Sequence, residues 1–182
     1  MYCVNTLIRH EVRDSFTSKS ALSTGGRKGQ WQSMDEEWAR FLRRDFVQGF
    51  PAYCGYEVDL VGDGEFHTSL KVRPDHRQQD GFVHAGVIAT MADHTAGYAA
   101  FTTVTAESRI LTIEFKINYF RPATNETIVC HSKVINRGKK IIVSESEVFS
   151  VSGEQERLVS KALVTLMAVP ATSLNRTPAN NT

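Results

Sequence analysis

Residues 83–101 read VHAGVIATMADHTAGYAAF, and the fold of the chain turns on how this stretch is taken. It is long enough for a helix and almost wholly apolar or small; from Gly86 to Phe101 only Asp93 is certainly charged at neutral pH. A helix with no polar face is a buried one, and this one is too short, and too rich in Ala and Gly, to span a bilayer. Asp93 therefore falls near the middle of a buried helix, where desolvation without partners is costly or raises the pKa. Upstream, His84-Ala85-Gly86 stands where the helix begins. A first turn leaves backbone N–H groups free beside the positive end of the helix dipole, a ready place for developing negative charge. At about 100° per residue, Asp93 lies nearly half a turn round from His84, so one helix does not easily present both features to one substrate. Two copies packed side by side do, and a site shared between subunits is the expectation.

The composition bounds the rest. A chain of 182 residues that is 41% hydrophobic can bury one substantial core. A net charge of +1 argues against a nucleic-acid partner and leaves room for a local basic patch facing an anionic small molecule. Cys3, Cys54 and Cys130 are odd in number, dispersed and without metal-type spacing, so neither a disulfide framework nor a zinc site is suggested. A reducing, cytoplasmic compartment fits best. There is no apolar run of transmembrane length and no secretory signal pattern at the N-terminus, so no membrane partner is expected.

Residues 1–33 are basic and rich in Ser, Thr and Gly. They resemble an organelle transit peptide in part; the plainer readings are a flexible extension, or an upstream start preceding a true one at Met34. A domain over 34–170 follows. Asp35 is placed to cap a short helix on which Trp38, Phe41, Leu42 and Phe46 share a face. It is expected to lie across a sheet or the mouth of a site. Strands are predicted over Tyr56–Val61 and Glu65–Val72, joined by the turn Gly62-Asp63-Gly64. After the helix, Ile110–Phe120 reads as a long strand with Leu111, Ile113, Phe115, Ile117 and Tyr119 on one side and Thr112, Glu114, Lys116 and Asn118 on the other. Three more strands follow, over Thr127–Val134, Lys140–Ser150 and Leu158–Val169, with turns at Asn136-Arg137-Gly138-Lys139 and Ser152-Gly153. Short connections favour neighbouring strands pairing as a meander. Residues 171–182 are expected to form a disordered polar tail. The fold class is therefore α+β: an antiparallel sheet wrapped around one long central helix.

With His84-x-Gly86, Asp93, the small residues Ala96-Gly97-Tyr98-Ala99-Ala100 and the strand end Asn118-Tyr119-Phe120-Arg121-Pro122 in place, the chain resembles a hotdog-fold acyl-CoA thioesterase of the PaaI-like, phenylacetate-pathway type. The resemblance covers about Asp35 to Val169. It implies hydrolysis of an acyl-CoA thioester by a homodimer or homotetramer, without metal or redox cofactor. It implies that Asp93 acts as general base or nucleophile while the partner subunit's helix start, at Ala85 and Gly86 with His84 beside them, meets the thioester carbonyl. Gln78 stands where the family often has Asn, and Thr112 stands where a Ser or Thr often supports the carboxylate.

The chemistry asks for such groups in its own right: a thioester needs its carbonyl polarised, a water placed and one group to take a proton. A carboxylate raised in pKa by apolar surroundings meets the last need. Structural readings stand beside these. A buried Asp is sometimes a hydrogen-bond hub, although Asp93 has no Arg or Lys within its helix. His94 points about 100° away and reads as structural or as pocket edge. Thr112 falls on the face opposite Leu111, Ile113 and Phe115, so alternation does not say that it reaches Asp93. Arg137, Gly138 and Lys139 are a solvated turn or, as the resemblance implies, a contact for the phosphates of coenzyme A. Tyr98 and Phe101 are core or acyl-pocket residues. Two other functions share this fold: a hydratase or dehydratase, whose Asn-Pro-containing Asp/His signature is missing here, and a non-catalytic acyl-CoA-binding protein, against which Asp93 and His84-Ala85-Gly86 count.

Overall fold

The computed structural model describes residues 35–174. The expectations for residues 1–33 and for the tail beyond 174 lie outside them.

Helix α1 (Glu36–Phe46) is capped by Asp35, whose carboxylate accepts the N–H of Glu37 at 2.9 Å. Acids in its first turn and Arg43 and Arg44 in its last complement the helix dipole. Leu42 and Phe46 are fully buried, with Trp38 and Phe41 against the same core. A second helix, α2 (Phe50–Cys54), has Pro51 in its first turn and ends on Gly55 at φ 81°. Five residues are too few for a periodicity to show, and the sequence reading had no helix there. Strands β1 (Tyr56–Gly62) and β2 (Glu65–Lys71) form a hairpin. The chain then passes through α3 (Ala85–Phe101) to β3 (Ser108–Tyr119), β4 (Thr127–Arg137), β5 (Ile141–Ser152) and β6 (Gln155–Pro170). Residues Ala171–Leu174, assigned to the tail from sequence, form a 3-10 turn.

The six strands lie in the order β1-β2-β4-β5-β6-β3, and every neighbouring pair is antiparallel. The meander expectation holds for β1–β2 and for β4–β5–β6 and fails for β3, which sits beyond β6 at the far edge. The cause is α3, which touches all six strands. Its 17 residues span about 25 Å, enough to carry the chain across the strand spacings of about 4.8 Å between β2 and β3. Such a sheet wrapped on one long helix is the hotdog fold.

Burial of α3 departs from the sequence reading. Ile88, Met91, Ala92, Thr95, Ala96, Ala99 and Ala100 are buried against the sheet, but Val87, Ala89, Thr90, Asp93, His94, Gly97 and Tyr98 are half-buried, and His84, Ala85 and Gly86 are exposed. One sheet covers one side of a helix. The opposite side is apolar in composition yet only partly covered within a single chain. On the covered side alanines allow close approach, and hydroxyls from the sheet meet the helix: Thr68 and Thr95 share a hydrogen bond of 2.9 Å, and Ser146 donates to the carbonyl of Ala92 at 2.7 Å. Cutting the fully buried Met91 to Ala would remove about 2–5 kcal/mol of stability.

Candidate active site

At the start of α3, His84 is the N-cap: its Nδ1 accepts the N–H of Gly86 at 2.9 Å. An Nδ1 that accepts places the ring proton on Nε2. The same contact explains the glycine, since a Cβ on Gly86 would sit 2.9 Å from His84 Nδ1 and 3.2 Å from Cε1. Gly86 thus gives its N–H to the cap, and the first N–H that the cap leaves open is that of Ala85. Tyr119 reaches back from β3 and donates its hydroxyl to the carbonyl of Ala85 at 3.0 Å. Gln78, Ala85, Ile88 and Tyr119 line one cavity of about 300 Å³. The loop carrying Gln78 is pinned by Arg77, whose guanidinium donates to the carbonyls of Gly81, Thr124 and Asn125.

Further along α3, Asp93 is half-buried and faces a second cavity of about 270 Å³ with His94, Gly97, Tyr98, Arg109 and Thr112. Burial raises the pKa of Asp93; the hydroxyl of Thr112 and the nearby His94 pull against that rise. Thr112 Oγ1 donates to Asp93 Oδ1 at 2.9 Å. Strict alternation would not put it there. The strand has a β-bulge between Thr112 and Glu114, so that Thr112 lies across from buried Leu166 while Phe115 lies across from buried Val164. The extra residue flips the parity of the strand, and Thr112 and Tyr119 both look toward α3. Nothing in the residues 111–114 marks this bulge.

The remaining candidates are placed as follows. His94 contacts the Phe46 carbonyl through Nε2 at 3.2 Å and lies against the rings of Phe46 and Tyr98; burial lowers its pKa. Arg137 donates to the carbonyl of Thr103 and pairs with Asp63 at 3.5 Å, while Lys139 is exposed on the turn. A Cβ on Gly138 would collide with the carbonyl oxygen of Ile141. Three residues at the Asp93 cavity carried no signal in the sequence reading or only a weak one. Tyr98 donates to Asp45 Oδ2 at 2.7 Å, which with burial holds its hydroxyl protonated. Arg109 lies 5.9 Å from the centre of the Phe101 ring. Asp45 shares the last turn of α1 with Arg43 and Arg44, and nothing in that stretch singles it out.

The structure thus brings Asp93 and Thr112 together in one cavity and Gln78, Ala85 and Tyr119 together in another, with His84 capping the helix beside the second. Residues 80–156, which hold α3 and most of this machinery, match the model of the thioesterase superfamily. The chain is also similar to the crystal structure of a thioesterase family protein from Silicibacter pomeroyi, with 30% identity and a TM-score of 0.71 over 73% of this chain and 98% of that one. A conserved protein of Pseudomonas aeruginosa matches at 26% identity and a TM-score of 0.64, over 70% of this chain and 98% of the other. A 1,4-dihydroxy-2-naphthoyl-CoA hydrolase of Listeria monocytogenes is 23% identical over 61% of this chain and 88% of its own length. The chain belongs to the thioesterase superfamily.

Proposed function

We propose that this protein is an acyl-CoA thioesterase, releasing a free acid and coenzyme A, in which two copies build each active site. The observation that carries the proposal is the half-buried Asp93, oriented by Thr112 at 2.9 Å and open to a cavity. Asp93 takes a proton from water as that water attacks the thioester carbonyl, or attacks the carbonyl directly to give a mixed anhydride, which water hydrolyses after the thiolate has left to release the free acid and restore the carboxylate. The C–S bond then breaks and the thiolate leaves, to be protonated by solvent. Oxygen-18 from labelled water entering the carboxyl of Asp93 during turnover would mark direct attack. The carbonyl oxygen is polarised by the Ala85 N–H at the positive end of the partner's α3, with His84 Nε2–H beside it and Gln78 on the same cavity. Tyr119 positions that helix start through the Ala85 carbonyl.

Geometry favours sharing. The rise from His84 to Asp93 is roughly 13 Å along one helix, too far for one thioester to reach. Strand β3 is an edge strand that carries Thr112 near one end and Tyr119 near the other. An antiparallel pairing of β3 with its own copy, about a two-fold axis near Phe115 and Lys116, sets Thr112 of one chain against the Tyr119 end of the other. Lys139 on its exposed turn is the contact for the phosphates of coenzyme A, with Arg137 and Gly138 shaping the turn. The catalytic unit is 34–170, and the cytoplasm is its compartment. The naphthoyl-CoA hydrolase relative favours an acyl-CoA over a simple ester.

The test is thiol release from a panel of acyl-CoAs. Thiol release is expected from at least one of them. A hydratase would alter an enoyl-CoA without freeing thiol, and a binding protein would leave all of them intact; either result overturns the proposal.

A further inference from the structure

Two glycines sit within α3, and only one is explained by its neighbours. Gly86 is kept bare by the His84 ring, whereas a Cβ built on Gly97 meets no atom within 4 Å. Gly97 also has no positive φ to justify it. Glycine inside a helix is less stable than alanine, and the rest of this helix uses alanine freely. The gap left by the missing methyl opens into the cavity that holds Asp93, one helical turn from that carboxylate and on the same face.

We propose that Gly97 is a specificity-determining residue, holding open the passage for the acyl group, and that the passage takes a compact, ring-sized acyl group rather than a long alkyl chain. This rests on the thioesterase reading of the site. Beyond Gly97 the cavity is walled by Phe101, Ile110 and Leu166 and reaches the Tyr98–Asp45 hydrogen bond of 2.7 Å and the guanidinium of Arg109. A cavity of about 270 Å³ with these apolar walls suits a ring. A long tail would have to press its methylenes against a carboxylate and a guanidinium, stripping them of water.

The test uses the full chain and its Gly97→Ala and Gly97→Val variants, with acetyl-, benzoyl- and decanoyl-CoA as substrates. The wild type is expected to show a higher kcat/KM for benzoyl-CoA than for decanoyl-CoA. Filling the gap with valine should lower the ratio of kcat/KM for benzoyl-CoA to that for acetyl-CoA by roughly 10- to 200-fold, the range that pocket methylenes command. Gly97→Ala should fall between the two and melt at the same or a higher temperature than wild type. A ratio unmoved in Gly97→Val, a lower melting temperature in Gly97→Ala, or a preference for decanoyl-CoA would each overturn the inference while leaving thioesterase activity standing. A wild type that frees thiol from none of the three would overturn the thioesterase reading and the inference together.

Discussion

The two edges of the sheet are finished in different ways. Edge strand β1 is short, breaks its register near Asp59, carries Glu57 and Asp59 in solvent, and is packed by α1, whose Arg43 donates to the Val58 carbonyl at 3.1 Å. Charges, bulges and a covering helix are how proteins blunt an edge against further pairing. Edge strand β3 has 12 residues and leaves Leu111, Ile113 and Phe115 39%, 53% and 39% exposed. One edge is closed and the other invites a partner. The inviting edge is also the strand that carries Thr112 and Tyr119, so assembly and catalysis are proposed to depend on the same residues.

That contrast is most directly broken by charge. The double variant Leu111→Lys/Ile113→Lys is expected to run as a monomer in gel filtration and to lose thioester hydrolysis entirely, because the Asp93 and Ala85 half-sites part. Leu60→Lys on β1 should alter neither property. If the monomeric β3 variant stays active, the shared site is wrong. Asp93→Asn should lower kcat by about 10² to 10⁴ with the dimer intact.

The same variant carries a stability signature. Burial raises the folded-state pKa of Asp93, so folding favours the protonated form. That contribution is complete at pH values below the unfolded carboxyl's and is lost as pH rises through the raised value. Asp93→Asn should therefore match the wild type in acid and melt at an equal or higher temperature near neutrality. Thr112→Val sharpens the point: its hydrogen bond lowers the Asp93 pKa, so its loss should move the acidic limb of the kcat/KM profile to higher pH. An unmoved limb would deny Asp93 the role of base. The smallest effect belongs to the far turn, where Lys139→Ala should raise KM by a factor of roughly 2–5, as exposed charge pairs of about 0.5–1 kcal/mol allow, and flatten its salt dependence.

Features written in local pattern were readable from the chain. Helix α3 follows from its apolar run, its start from His84 and Gly86, and α1 from the cap Asp35 and its apolar face. Features set by long-range pairing were not. The placement of β3 beyond β6 depends on where a 17-residue helix sets the chain down, which no turn signal records. Asp45 reaches its cavity from α1, while Arg109 and Tyr119 reach theirs from opposite ends of β3. Each looks ordinary in its own stretch. Arg137 reads as a free cation on a basic turn until the fold brings Thr103 and Asp63 within its reach.

The bulge in β3 makes that strand unequal in its response to changes of length. Loss of one codon at Ile113 would leave a regular strand with Thr112, Phe115, Ile117 and Tyr119 still turned toward α3, since Thr112 and Phe115 already face alternate residues of β6. The same loss at Lys116 would swing Ile117 and Tyr119 outward and bring Asn118 over the helix. Deletion scanning along β3 would thus meet tolerance at the bulge, where loss of either Ile113 or Glu114 restores a regular strand, and resistance where a loss reverses the facing of the residues beyond it.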